Sequence, residues 1–333
     1  VRLEGGCSGS FVSANGLVLT NHHCVNSCIQ DLSSAASDLL ADGFVARSIA
    51  EERRCEAFEV SNLIATEEIT AKIEAAKKGL SGSAAKKAEN AAMTEAEAEC
   101  EKAAKEPNIR CEAKDLYHGG QFWIFTYRRY DDVRLVFAPE ISIANFGGDP
   151  DNFNFPRYDL DSAFVRLYED GKPVATSDHL RWNAATPKAG EPVFVAGNPG
   201  GTDRQLTVAQ LQTQRDLTLP ITLMQFSELR GRLLRFSEES PEHKRIAGDL
   251  VFSLENSYKV YFGRLFTLND PIFMAARRKG EDELVAQARA DAGKLGADFG
   301  DPWRNVAIAQ QSVQALYLPY RMIERGPMGS DLF

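Results

Sequence analysis

The spacing of the cysteines limits the folds that are open to this chain. Six cysteines lie in the first third of the chain, at Cys7, Cys24, Cys28, Cys55, Cys100 and Cys111. Six cysteines allow 15 pairings, and closure between sequence neighbours predicts Cys7–Cys24, Cys28–Cys55 and Cys100–Cys111. Disulfides persist in oxidising compartments, so the pattern predicts a periplasmic or secreted protein. The alternative is six buried thiols in a cytosolic protein.

Composition narrows the class of protein. The chain has 333 residues, a formal net charge of −9, 44% hydrophobic and 26% charged residues. This balance is typical of a globular protein, and the length suggests two or three domains. The acidic charge disfavours nucleic-acid binding, which usually needs a basic surface. No stretch approaches the ~20 apolar residues of a membrane-spanning helix, so we expect no membrane span.

Hydrophobic periodicity predicts two strand-rich regions, a helical excursion between them, and a helical C-terminal region. Predicted strands cover residues 9–12, 16–20, 122–128, 132–138, 163–168 and 192–196, with hairpin turns at 15–16 and 169–172. Helices are predicted at residues 29–40, and at 64–78 and 84–105 as a helical hairpin. Beyond residue 203, helices are predicted at 206–215, 221–237, 241–265, 270–278, 281–295 and 305–325.

A histidine beside a cysteine ends the first predicted hairpin. Residues 6–24 read GCSGSFVSANGLVLTNHHC. The pattern resembles trypsin-like peptidases, in which a disulfide staples the strand pair that presents the general-base histidine. A general base needs a fixed orientation, and the residue directly before the cysteine is His23.

His22 would then be a structural neighbour of the base. One alternative is a zinc site formed by His22, His23, Cys24 and Cys28. Another is a buried histidine without chemistry.

A triad also needs a carboxylate that orients the histidine. Four aspartates compete for this role: Asp149, Asp151, Asp159 and Asp161. Trypsin-like chains place the carboxylate before an alternating strand, as Asp-x-Ala followed by apolar residues. Asp161-Ser162-Ala163-Phe164 has this form, so we predict Asp161, and turn or cap roles for Asp149 and Asp151.

The nucleophilic serine has no matching segment. No Gly-Asp-Ser-Gly or Gly-Asn-Ser-Gly sequence follows Asp161. Ser8, in Gly6-Cys7-Ser8-Gly9, precedes the histidine and is predicted to be structural. The chain opens inside a structured-looking motif with no visible signal peptide and stops without an obvious cap. We therefore expect a piece of a longer protein, with the serine beyond residue 333.

Three motifs together resemble the bacterial dipeptidyl aminopeptidase BII family, which includes dipeptidyl peptidases 7 and 11. They lie at residues 20–24, 148–153 and 197–200. The resemblance implies an α+β fold, with a chymotrypsin-like double β-barrel and a large inserted helical domain. Residues 1–202 would be the first part of the barrel, with a helical hairpin insertion at about 61–112, and residues 203–333 an incomplete helical cap.

The same resemblance implies a serine exopeptidase that removes dipeptides from free N-termini, is periplasmic or on the cell surface, and forms homodimers. His23 would be the base and Asp161 its orienting carboxylate. Asn152, Phe153 and Asn256 would bind substrate, including its α-ammonium group; a tryptophan is more usual at position 153. No metal or cofactor, nucleic-acid partner or membrane span is implied.

Two other functions fit the sequence. A peptidase-like scaffold without its serine could be a non-catalytic peptide-binding protein. A trypsin-like endopeptidase is the other alternative, although a peptide-binding β domain, rather than a long helical region, would normally follow its strands.

Overall fold

The fold is described from a computed structural model that covers residues 1–3, 6–198, 204–296 and 299–323. The chain is mixed helix and sheet and divides into two compact units. The first consists of Val1–Asn145 and Tyr158–Gly200, and the second of Phe146–Arg157 and Gly201–Phe333. The short segment Phe146–Arg157 therefore belongs with the helical region that follows it much later in the chain.

The first unit is built on a curled sheet with the order β2-β3-β10-β9-β4, in which β11 pairs with β10 and β5 with β9. Its strands are β2 (Ser10–Phe11), β3 (Leu17–Thr20), β4 (Phe44–Val45), β5 (Arg53–Arg54), β9 (Asp132–Ala138), β10 (Ala163–Glu169) and β11 (Lys172–Pro173). Alternate residues of β10 are buried, with Ala163, Val165 and Leu167 fully inside. This period-2 pattern is what the sequence predicted, and the hairpins at 15–16 and 169–172 are also present.

A second sheet in the same unit has the order β1-β6-β8-β7. Its strands are β1 (Arg2–Leu3), β6 (Val60–Glu68), β7 (Ile109–Leu116) and β8 (Gln121–Tyr130). Helices α3 (Thr70–Lys77) and α4 (Gly82–Ala104) connect β6 to β7 and pack on a small core that includes Ile73 and Phe122.

The helical excursion begins later than predicted. Residues 64–68, predicted as helix, form the second half of β6, because β6 pairs with β8 along nearly its whole length. Tertiary pairing here outweighs local helix propensity. The helical hairpin itself is present, and Cys100–Cys111 joins the end of α4 to β7.

Two further predictions in this unit are wrong. The helix predicted at 29–40 is interrupted, giving α1 (Asn26–Leu32) and α2 (Leu39–Asp42). The Ser33 hydroxyl donates to the Ile29 carbonyl and accepts a hydrogen bond from the Leu39 backbone N–H, a local alternative to helical bonding. The strand predicted at 192–196 is an exposed segment without helix or strand, because no neighbouring strand pairs with it among the described residues.

In the part of the second unit that the structure describes, helices and short connections make up everything except the segment Phe146–Arg157. The last helix described in the first unit is α5 (Ile141–Ala144). The helices of the second unit are α6 (Val208–Thr213), α7 (Leu219–Ser237), α8 (Pro241–Leu268), α9 (Pro271–Ala290), α10 (Ala292–Leu295) and α11 (Pro302–Ile323). A π-helical turn, Gln214–Thr218, joins α6 to α7. The sequence predicted a break near Gly280, but α9 runs through it, since glycine is tolerated inside a helix at a modest cost.

All three predicted disulfides are present, and the described cysteines are all paired. They lie within the first unit. Of the helices in the described ranges, none combines the length and hydropathy needed to cross a membrane.

Candidate functional site

Sheet register brings His23 and Asp161 together. Strands β3 and β10 are antiparallel, and Thr20 at the end of β3 lies opposite Ala163 at the start of β10. The residues just after β3 and just before β10 therefore meet at one end of the sheet. His23 follows β3 by three residues, and Asp161 precedes β10 by two, so residues 138 positions apart in sequence become neighbours.

The contact has the geometry of a base and its orienting carboxylate. His23 Nδ1 lies 2.7 Å from Asp161 Oδ2, and the backbone N–H of His23 donates to Asp161 Oδ1 over 3.1 Å. Asn21 Nδ2 also donates to Asp161 Oδ2, over 3.2 Å. Both carboxylate oxygens are thus held by residues of the same short loop. The His23 side chain is 49% exposed, whereas that of Asp161 is 17% exposed.

The charge state of Asp161 follows from these contacts. Burial by itself would raise the pKa of the carboxyl group, but the hydrogen bonds from His23 and Asn21 and the nearby His23 charge outweigh it. The pKa of Asp161 therefore lies below its ordinary value, and the group is ionised at neutral pH. An ionised acceptor at Nδ1 places the proton of the neutral imidazole on Nδ1 and its lone pair on Nε2.

A disulfide fixes the loop that carries the histidine. Cys7 and Cys24 are bonded with their Cα atoms 6.0 Å apart, and one ring nitrogen of His23 lies within 4.8 Å of both sulfur atoms. The zinc alternative loses its sulfur ligands, because Cys24 and Cys28 are both committed to disulfides and cannot act as thiolates.

His22 points away from solvent. Its side chain is fully buried, and burial lowers the pKa of the imidazole, with the Asp161 charge and the Pro139 carbonyl opposing the shift only in part. Neither ring nitrogen has a well-formed hydrogen bond to the residues that the structure describes. This placement fits the structural role predicted for His22.

Ser8 is held by structural contacts. Its carbonyl accepts a hydrogen bond of 2.9 Å from the Thr20 hydroxyl, and its own hydroxyl accepts one from the Asn198 backbone N–H. A Cβ at Gly197 would overlap the Ser8 side chain, so glycine is required for this approach. These contacts tie the first hairpin to the 197–198 segment, as expected of a structural serine.

The second unit brings together the other predicted site residues. Asn152 lies in a turn of the segment Phe146–Arg157 and is 1% exposed, and Asn256 lies on α8. Asn152 Nδ2 donates to the Gly147 carbonyl over 2.5 Å and to Asn256 Oδ1 over 2.7 Å. Phe153 follows in the left-handed region, with φ of +65°, and its ring is largely exposed.

These two bonds fix the orientation of the Asn152 amide. The Gly147 carbonyl can only accept, so the amide must turn its nitrogen toward it. Within the described residues, the remaining oxygen, Asn152 Oδ1, is buried without a hydrogen-bond partner. A buried acceptor without a partner costs free energy unless a donor arrives. The arrangement can therefore accept a hydrogen bond from a cationic or N–H donor.

Sequence reasoning missed the supporting contacts of both clusters. Asn21 donates to the Asp161 carboxylate. In the sequence, only its position in the Thr-Asn-His-His-Cys motif pointed to such a role. Lys259 donates to the carbonyls of Asp149 and Pro150 in the Asn152 turn. The sequence feature that could have identified Lys259 is its spacing of three residues from Asn256, which places both side chains on one helix face.

Comparison with known proteins agrees with the fold and the motifs. Asp/Glu-specific dipeptidyl-peptidases from Shewanella putrefaciens and Porphyromonas endodontalis are 31% and 32% identical over 294 and 306 residues, which is 85% and 87% of this chain. Dipeptidyl-peptidase 7 of Porphyromonas gingivalis is 34% identical over 222 residues, covering 62% of this chain and 30% of its own length.

Solved structures give the same relationship. The crystal structure of Porphyromonas endodontalis DPP11 in complex with the dipeptide Arg-Glu matches 96% of this chain with a TM-score of 0.82 and 27% identity. The chain covers 48% of that structure, and 40% and 42% of the two Asp/Glu-specific relatives, so it spans less than half their length. The peptidase S46 family model matches residues 1–333, and the chain belongs to the peptidase S46 family.

Proposed function

We propose that this chain is part of a serine exopeptidase, which releases dipeptides from the free N-termini of peptides by acyl transfer. The observation that carries the proposal is the 2.7 Å contact between His23 and Asp161 in a chain of the S46 family. Asp161 holds the Nδ1 proton, so Nε2 of His23 takes the proton of the serine nucleophile and later returns it to the leaving amine. The serine is the one that the family resemblance implies.

The second element of the proposal is recognition of the substrate's α-ammonium group. Bringing this cation out of water is unfavourable unless acceptors replace its hydration. Asn152 Oδ1 is a buried acceptor without a partner among the described residues, in an amide whose nitrogen is already engaged. Asn256 fixes that amide, and the exposed ring of Phe153 offers an aromatic face to the cation.

The proposed architecture follows the family. Residues 1–202 would be the first part of a chymotrypsin-like double β-barrel with a helical hairpin inserted at about 61–112, and residues 203–333 part of a helical cap. The three disulfides favour an oxidising location, periplasmic or at the cell surface. Homodimer formation is part of the same proposal and rests on the resemblance.

The decisive experiment replaces the proposed base in the full-length protein. His23→Ala should lower kcat on chromogenic dipeptidyl substrates by roughly 10³-fold or more, because proton transfer from the serine is lost. Substrates with an acidic second residue follow the specificity named for the Asp/Glu-specific relatives. Substrates with a hydrophobic second residue are assayed alongside, because the sequence leaves either preference open. His118→Ala, at an exposed turn of the first unit, is the matched control.

Other outcomes would favour the alternative functions. Activity of His23→Ala within a few-fold of the parent would reject the proposed base. A parent protein that binds peptides but hydrolyses none would indicate a non-catalytic binding protein. Internal cuts in a protein with a blocked N-terminus would indicate an endopeptidase.

A further inference from the structure

One face of α8 supports the turn that carries Asn152. Its side chains follow helical spacing at Phe252, Glu255, Asn256 and Lys259. A Cβ at Gly147 would lie 2.8 Å from the Phe252 ring, and one at Gly148 would lie 2.9 Å from a Glu255 carboxylate oxygen. The two glycines therefore let the backbone of the turn approach the helix more closely than other residues would allow.

Lys259 makes the polar contacts at the end of this face. Its ammonium group donates to the Asp149 carbonyl over 2.5 Å and to the Pro150 carbonyl over 2.7 Å. Bonds from a charged donor are stronger than neutral ones. The lysine is partly buried, so solvent competes less for its ammonium group than it would at an open surface.

The Asp149 carbonyl links this lysine to the proposed binding residue. The same oxygen accepts the backbone N–H of Asn152 over 3.1 Å, which closes the turn. The Pro150 carbonyl likewise accepts from Asn154 Nδ2 over 2.5 Å. A shift of either carbonyl would therefore move the backbone on which the Asn152 amide is mounted.

We propose that Lys259 is a positioning residue of the α-ammonium site, holding the 149–152 turn so that Asn152 Oδ1 faces the substrate cation. The inference rests on the proposed function, because it assigns Lys259 a role in that same site. Lys259 acts on Asn152 through the turn and not on the substrate itself. Its removal should therefore weaken recognition of the amine more than it slows bond cleavage.

The test compares variants on two substrates in the full-length protein. One substrate is a fluorogenic dipeptidyl amide with a free α-amine, and the other is its desamino counterpart. Lys259→Met keeps most of the side-chain length but removes the donor, and it should raise KM for the free-amine substrate roughly tenfold with kcat within about threefold. Lys259→Arg retains a cationic donor and should restore most of the affinity.

Controls separate positioning from general stability. Lys244→Met makes the same change on α8, four turns away, and should match the parent. Melting temperatures of all variants are measured alongside the kinetics. If Lys259→Met does not fold, Lys259→Gln, which keeps an N–H donor, is the second variant, with a smaller rise in KM expected.

The possible results separate the positioning role of Lys259 from the proposed α-ammonium site on which that role rests. If the parent prefers the free-amine substrate but Lys259→Met leaves KM within twofold, the positioning role is wrong and the ammonium site stands. If Lys259→Met lowers kcat/KM equally for both substrates, the lysine only supports the fold, and the inference is again wrong. If the parent does not distinguish the two substrates, the ammonium site is rejected, and the role of Lys259 with it.

Discussion

His23 and Asp161 are held by several contacts that act on the same few atoms. Asn21 and the His23 backbone each donate to the carboxylate, so rotation of Asp161 would break three hydrogen bonds at once. The Cys7–Cys24 bond limits movement of the loop on the other side. For the base that we propose at His23, this restraint would reduce the entropy lost on reaching the transition state, which is how positioning contributes to catalysis.

Replacing the Asp161 carboxylate by an amide tests whether this group fixes the tautomer of His23. Asp161→Asn should lower kcat by roughly 10³- to 10⁴-fold, because an amide N–H facing Nδ1 forces the imidazole proton onto Nε2. The measurement is kcat in the full-length protein, with the melting temperature as a check on folding. Asp170→Asn, in the turn between β10 and β11, is the control and should be unchanged. A kcat for Asp161→Asn within tenfold of the parent would contradict the assigned role.

The strand that follows Asp161 also carries a buried ion pair. On β10, Arg166 Nε donates to Glu52 Oε1 over 2.9 Å, and the Tyr168 hydroxyl donates to Glu52 Oε2 over 2.6 Å. The Glu52 side chain is only 2% exposed. Burial, followed by this bond to Glu52, raises the pKa of Tyr168 to about 12, so the phenol stays protonated as a donor. The network attaches β10 to the segment before β5.

Removing the shared acceptor should destabilise the first unit. Glu52→Ala leaves the Arg166 guanidinium buried without its carboxylate, and breaking such a pair typically costs about 3–5 kcal/mol. The free energy of unfolding from urea titration is the measurement. Glu56→Ala, at an exposed glutamate four residues away, should change it by less than about 0.5 kcal/mol. A loss below 1 kcal/mol for Glu52→Ala would mean that water replaces the carboxylate at this site.

Among the helices and strands, the predictions were right where the hydrophobic pattern of a segment agreed with the neighbours it packs against. Strand β9 lies at residues 132–138 as predicted, because its alternation coincides with one buried face. Residues 64–68 were predicted as helix and form a strand, because eight paired positions between β6 and β8 outweigh local propensity. Residues 192–196 have strand-like composition but no strand partner among the described residues, and composition alone cannot supply one.

The whole chain places its two candidate clusters on different units. The His23–Asp161 pair belongs to the first unit, and the Asn152–Asn256 pair to the second. All six cysteines also belong to the first unit, which has its own core, whereas the helical unit packs around residues such as Leu211 and Leu268. Covalent stabilisation is therefore confined to one of the two units.

Reduction of the disulfides should affect the units unequally. The loop closed by Cys28–Cys55 spans 27 residues, and chain entropy assigns such a crosslink roughly 3.5 kcal/mol. Calorimetry with and without a reductant should show a lower melting temperature for the first unit. The transition of the second unit should not move, because it contains none of the cysteines. An equal shift of both transitions would contradict this independence.

Short local patterns carried most of what could be predicted from the sequence. Cysteine spacing specified the three disulfides, the hairpin motif indicated His23, and the Asp-x-Ala form before a strand selected Asp161 from four candidates. Each of these signals lies within a few residues, where backbone geometry leaves few options. The packing of distant segments, in contrast, brings Asn152 against Asn256 of α8, buries its oxygen, and places Lys259 on the carbonyls of its turn. These residues are more than 100 positions apart, and no local pattern encodes which helix face a distant turn will meet.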